Sequence, residues 1–225
     1  MEKIKFVVLA DNDGTIRDTN SVKDVLLDRF CVTEFGSIPS DKESPNSIHR
    51  KMHGRPMGEI FVEIARIIYA KEISFKEGEE ITNRLNDFIR PEYVSRPVYP
   101  GAKEFFERLR SMGIPLYILT GMEPDMVQAG LEKHGMQDLF LDILGAPKTK
   151  EQNIAEVMKK YPGATIIALG DAMSEYKATM NYSSKTIFMA FDMENREKRV
   201  FPDDVKVYTS YGSELWNDLM DRISK

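Results

Sequence analysis

The sequence predicts an α/β protein: an open parallel sheet with helices on both faces, and a helical insertion after the first strand. Three observations carry this expectation. Short runs rich in Val, Ile and Leu are apolar at nearly every position, which suits strands buried on both faces of a parallel sheet. Helical patterns stand between those runs, the alternation that builds an α/β layer. The stretch from about 18 to 96 breaks the rhythm, with helix-like periodicity and no convincing strand.

In chain order the expected strands are Phe6–Ala10, Pro115–Thr120, Leu141–Gly145, Thr165–Gly170, Lys185–Ala190 and Val205–Ser210. The helix over Ala102–Ser111 directs Phe105, Phe106 and Leu109 to one side. That over Pro124–His134 does the same with Met126, Val127 and Leu131, and that over Glu151–Lys160 with Ile154, Val157 and Met158. Together these predict a Rossmann-like open sheet formed by residues 1–17 and 97–225. The remaining residues, 18–96, predict a helical unit. Val22, Val25, Leu26 and Phe30 fit one helix face, Ile60, Phe61, Ile64, Ile67 and Ile68 a second, and Ile81, Leu85 and Phe88 a third. Asp18, Asn20 and Ser21 are helix-starting residues, and Pro91, Pro97 and Pro100 mark the return to the sheet.

Composition narrows the function. The 225 residues carry a formal net charge of −5, against the clustered Lys and Arg that neutralise nucleic-acid phosphates. A small anionic substrate is compatible with this charge, because a local site can be positive on an acidic protein. Cys31 is the one cysteine, so no intrachain disulfide forms. The apolar run Phe6–Ala10 is too short for a signal peptide, and no stretch approaches the roughly 20 apolar residues of a membrane span. The expectation is a soluble cytoplasmic protein. Oligomeric state is not written in the sequence.

In an open α/β sheet, ligands bind beyond the carboxyl ends of the strands. The polar clusters of this chain fall there. Asp11 and Asp13 follow the first run, in Asp11-Asn12-Asp13-Gly14-Thr15. Thr120 and Gly121 end the second, Lys148 and Lys150 follow the third, and Gly170-Asp171 with Glu175 follow the fourth. Taken alone, Asp13-Gly14 reads as a tight turn and Asp171 as a helix cap. A calcium-loop reading fails, because that loop places its Gly at the sixth position.

These four clusters resemble the motifs of the haloacid dehalogenase-like hydrolases. The resemblance covers nearly the whole chain, including a helical cap between the first motif and Tyr99-Pro100-Gly101. It implies Asp11 as nucleophile, forming an aspartyl-phosphate, and Asp13 as general acid and then base. It implies that Thr120 and the Gly121 amide bind phosphoryl oxygens, and that a lysine, Lys150 or Lys148, neutralises their charge. It also implies Mg2+, held by Asp11, the Asp13 carbonyl and Asp171, with Glu175 ligating directly or through water. Two residues depart from the pattern: Asn12 stands where the family usually has an apolar residue, and Glu175 where it usually has Asp.

The expected activity is hydrolysis of a small phosphorylated metabolite, of the phosphoglycolate or sugar-phosphate class. The same core serves a phosphomutase, and a non-catalytic binding protein is the reading from another class. Arg50 and Arg55, flanking Gly54 in the insert, are candidates for reaching substrate from the cap, beside the simpler reading of a solvated basic patch. His49, His53 and His134 show no metal-ligand spacing. The mixed run Glu194–Arg199 reads as a solvated face.

Overall fold

The computed structural model describes residues 4–52, 55–146, 148–182, 184–194 and 201–224. His53, Gly54, Pro147 and residues 195–199 of the mixed run therefore lie outside the described residues. In chain order, β1 (Phe6–Ala10) leads into α1 (Asn20–Phe35), α2 (Pro45–Lys51), α3 (Met57–Tyr69) and α4 (Phe75–Ser95). There follow α5 (Ala102–Ser111), β2 (Leu116–Leu119), α6 (Pro124–Lys133), β3 (Ile143–Leu144), α7 (Lys150–Lys160) and β4 (Thr165–Gly170). The chain ends with α8 (Met173–Met180), β5 (Thr186–Phe191), β6 (Val207–Tyr208) and α9 (Ser213–Ile223). It forms two compact units, Met1–Asp18 with Val94–Lys225, and Thr19–Tyr93.

The first unit is a six-stranded parallel sheet in the order β3-β2-β1-β4-β5-β6. Side chains alternate across a strand, and each face of this sheet is covered by its own helices. Val8 and Ala10 face α5, α6 and α9, packing with Phe106, Val127 and Leu215. Val7 and Leu9 face the other layer, with Ile154 and Val157 of α7 and Ala178 of α8. That two-sided burial is why the β1 run is apolar at every position.

The edge strands are shorter than their apolar runs. β3 keeps two residues of Leu141–Gly145, and β6 two of Val205–Ser210. An edge strand has one partner, so pairing stops where that partner does. β5 lies one residue later than expected, at Thr186–Phe191.

The second unit is helical. Val22, Leu26 and Phe30 of α1 are buried, as are Ile60, Phe61, Ile64 and Ile68 of α3 and Ile81 and Leu85 of α4. Val25 is exposed at 59%, contrary to its assignment to the buried face. Successive residues turn by roughly 100°, which sets Val25 at the margin of the Val22–Leu26–Phe30 stripe. Pro91 also departs from expectation. It does not mark the return to the sheet but stands inside α4, which runs through it to Ser95. A proline there removes one main-chain bond but leaves the long helix intact. Among the described residues, no helix is long and apolar enough to cross a membrane.

Candidate active site

β1 lies between β2 and β4, so the chain leaving it enters the middle of the sheet's carboxyl edge. Ala10 is level with Ile118 and Leu169, and the Asp11 N–H continues the ladder to the Leu169 carbonyl at 2.8 Å. The Thr120 N–H does the same to Leu144 at 2.9 Å. Register alone thus brings Asp11, Thr120 and Gly170-Asp171 to one level.

The loop after β1 is tightly folded. Gly14 takes φ +73°, which a glycine adopts without strain. Its N–H donates to the Arg17 carbonyl, while the Asn12 carbonyl accepts from Ile16 and Arg17 at 3.0 and 2.9 Å. The Asn12 side-chain amide donates to Asp13 Oδ1 at 2.8 Å. The Tyr211 hydroxyl, arriving from the turn before α9, donates to the Thr15 carbonyl at 3.0 Å.

Glycines set the other approaches. A Cβ on Gly145 would stand 2.5 Å from the Met122 carbonyl, so the turns after β2 and β3 meet only because that residue is Gly. A Cβ on Gly170 would press on the Glu175 side chain at 2.9 Å. The space beside Gly121 is open, and the Thr120 hydroxyl accepts the Met122 N–H at 3.0 Å.

Two lysines follow β3, and the structure separates them. Thr149 caps α7 reciprocally with Gln152, which fixes where the helix begins. Lys150, the first residue inside, donates to Asp11 Oδ1 at 2.9 Å and to Glu175 Oε1. Lys148 turns away to the exposed carboxylate of Glu156 at 2.7 Å. Glu175 also accepts from the Ala172 N–H at 2.8 Å and the Ser174 hydroxyl at 2.9 Å. Its two oxygens are therefore engaged by three donors.

Asp11, Asp13, Asp171 and Glu175 are all buried. Burial pushes the Asp11 carboxyl well above the usual range; Lys150 opposes this, and Glu175, Asp171 and Asp13 add to it. Burial lowers the Lys150 ammonium's affinity for its proton, but Asp11 and Glu175 outweigh that and hold it raised. Burial raises Glu175 too, yet the charge and hydrogen bond of Lys150 leave it lowered. The Tyr211 phenol is pushed up by burial first, then by Asp11, Tyr99 and Asp171. Tyr99 is likewise raised, by burial and by Glu194, to which its hydroxyl donates at 3.0 Å.

Arg50 is in the last turn of α2, and the largely exposed Arg55 stands 3.7 Å from Glu59; both belong to the inserted unit. A ring nitrogen of His134 is 2.8 Å from the Arg96 carbonyl, and His49 lies in α2. Sequence reasoning missed Tyr99, Tyr211 and Ser174, which belong to no motif. In the sequence Asn12 stands out only as a departure from the family pattern.

Residues 7–178 match the family model described as haloacid dehalogenase-like hydrolase. The chain belongs to that family. Over 129 residues the chain is 26% identical to the 2-hydroxy-3-keto-5-methylthiopentenyl-1-phosphate phosphatase of Microcystis aeruginosa strain NIES-843. That match covers 48% of the chain and spans 61% of the relative's length. Its fold is similar to that of a predicted phosphoglycolate phosphatase from Haemophilus somnus 129pt, with TM-score 0.69, 18% identity, and 97% and 99% of the two chains covered. It is also similar to the HAD-hydrolase YfnB of Bacillus subtilis, solved bound to magnesium. There the TM-score is 0.69 at 15% identity, covering 97% and 100%.

The donor set fits a hard divalent cation. Asp11 and Asp171 offer carboxylate oxygens and the Asp13 main chain a carbonyl; all three residues are buried, and Lys150 pairs with Asp11 and Glu175. Among the described residues no three His, Cys, Asp or Glu side chains converge as a ready cage. Two carboxylates and a carbonyl leave room for substrate oxygens, which suits Mg2+ better than a closed structural site.

Proposed function

We propose that this hydrolase is a phosphatase acting on a small phosphate monoester through an aspartyl-phosphate on Asp11. The observation that carries the reading is Lys150, whose ammonium ties Asp11 to Glu175 among buried acids at the sheet's carboxyl edge.

Lys150 occupies Oδ1 of Asp11, which makes Oδ2 the attacking oxygen. Oδ2 forms a bond to phosphorus as the bond to the ester oxygen breaks. Asp13 gives its proton to that departing oxygen, releasing an alcohol. Asp13 then takes a proton from water, whose oxygen attacks the same phosphorus, releasing inorganic phosphate and regenerating Asp11. The Thr120 side chain and the Gly121 N–H receive phosphoryl oxygens, with the space beside the Gly121 Cα open, and Lys150 offsets their charge. Glu175 keeps Lys150 ionised and directed at Asp11.

Mg2+, held by Asp11, Asp171 and the Asp13 carbonyl, would supply charge neutralisation for the phosphoryl group. The relatives' substrates point to small phosphorylated carbon compounds, with phosphoglycolate and sugar phosphates first to try. The inserted helical unit is read as a cap that admits substrate and excludes water.

The test is phosphate release from p-nitrophenyl phosphate with Mg2+. Asp11→Asn should abolish it while the circular-dichroism spectrum stays native. Equal activity in the two proteins overturns the mechanism.

A further inference from the structure

The geometry points to Asn12 as a positioning residue that presents Asp13 to the leaving group, an inference resting on the acid role proposed for Asp13. Asn12 is fully buried, at a position where the neighbouring strand residues Val7, Val8, Leu9 and Ala10 are all apolar. An amide buried without partners is destabilising. A polar residue here is therefore sustained by the bonds it makes, and its Nδ2 makes one to Asp13 Oδ1 at 2.8 Å.

Adjacency alone does not produce that contact. In an extended chain, neighbouring side chains point to opposite faces. Here the chain turns at Gly14, with φ +73°, and the Asn12 carbonyl is held by the N–H groups of Ile16 and Arg17. The main chain fixes Asn12, and its amide then fixes a carboxylate whose terminal torsion is otherwise broad.

The consequence is chemical. Oδ1 already accepts an N–H, so the proton that Asp13 delivers is carried on Oδ2. Asn12 thereby selects which oxygen faces the ester and holds the plane of the carboxyl group. An apolar residue would pack in the same place but supply no donor to Oδ1.

General acid catalysis is needed most when the leaving group is a poor one. An alkoxide requires a proton to depart, whereas a nitrophenolate leaves without it. The experiment compares kcat/KM, which reports the step in which the ester oxygen departs and not the shared hydrolysis of the aspartyl-phosphate, for glycerol 2-phosphate and p-nitrophenyl phosphate in wild type, Asn12→Leu and Asn12→Ala. The two replacements differ in bulk, so a folding failure in one leaves the other to be read. We expect the alkyl-to-aryl ratio to fall about tenfold in each folded variant, with KM for the two substrates changing in parallel. A ratio equal to wild type in a folded variant overturns the inference, whatever the absolute activity, because a merely structural loss lowers both substrates alike. Asp13→Ala is measured alongside. If it too leaves the ratio unchanged, the acid role of Asp13 has failed; if it lowers the ratio while the Asn12 variants do not, only the role of Asn12 has.

Discussion

In the core unit, Asp11, Asp13, Asp171 and Glu175 are buried and the ammonium of Lys150 pairs with Asp11 and Glu175, whereas in the inserted unit oppositely charged side chains meet at the surface. Arg84 pairs there with Glu34, Arg66 with Glu63 and Lys51 with Glu43, all with well-exposed basic partners. The interior of the insert is apolar, built on Phe30, Phe61, Ile64 and Ile81. Buried charges are costly even when paired, and exposed pairs contribute little in either direction. The contrast teaches where stability is given up for chemistry: at the sheet's carboxyl edge and not among the helices of the insert.

The largest effect should come from removing one cation from each unit. Lys150→Met leaves Asp11 and Glu175 buried without their partner. It should lower unfolding free energy by about 3–5 kcal/mol and phosphate release by about 10²–10³-fold. Arg84→Met, which breaks two hydrogen bonds to Glu34 at 3.0 and 2.6 Å, should cost less than about 1 kcal/mol. Urea unfolding of both variants reads the difference, and equal losses would break the comparison.

The second effect uses the excess of acid. Because burial and neighbouring carboxylates raise Asp11, a divalent cation should stabilise the core unit where it would do nothing for the insert. At a hundredfold excess over its dissociation constant, Mg2+ should add about 2.7 kcal/mol, seen as a higher Tm that EDTA reverses. Asp171→Asn should lose most of that shift. A full shift in this variant would put the ion elsewhere on the surface.

How much of this is legible in sequence depends on whether a residue's place is set by strand register or by side-chain contact. The central strands are legible because burial on both faces writes an unbroken apolar run, and with them the level at which Asp11, Thr120 and Asp171 emerge. Lys148 and Lys150 are not separable by pattern. They are separated by the Thr149–Gln152 cap, which decides which lysine is the first residue of α7. Tyr211 is illegible as a partner of Thr15, since the two meet across 196 residues with no motif to join them. Arg17 is illegible by its type, because a guanidinium is ordinarily exposed. It is completely buried, donating to the Val94 and Arg96 carbonyls at 3.1 and 3.3 Å. A Cβ on Gly130 would stand only 1.8 Å from its Nη1, so that glycine of α6 makes room for the guanidinium. Val25 and Pro91 show the converse error, where residue type suggests a buried face and a chain break and the helix accommodates both.

The smallest effect tests a charge between the two extremes. Asp218 of α9 is half-buried, accepting from the Tyr208 hydroxyl of edge strand β6 and from Arg222 Nε at 3.2 Å. Burial raises its carboxyl, but the Tyr208 bond and the Arg222 charge outweigh this and leave it lowered from 3.8. A carboxyl lowered on folding contributes stability above its unfolded pKa and loses it as pH falls through the folded value. Asp218→Asn keeps the shape and removes the charge. It should cost about 1 kcal/mol at pH 7, and the deficit should shrink toward zero at a pH below the folded value, itself lowered from 3.8, where the wild-type group is also neutral. Urea unfolding of both proteins at the two pH values decides it. A deficit independent of pH would mean that packing of the β6–α9 edge, and not charge, sets the contribution of Asp218.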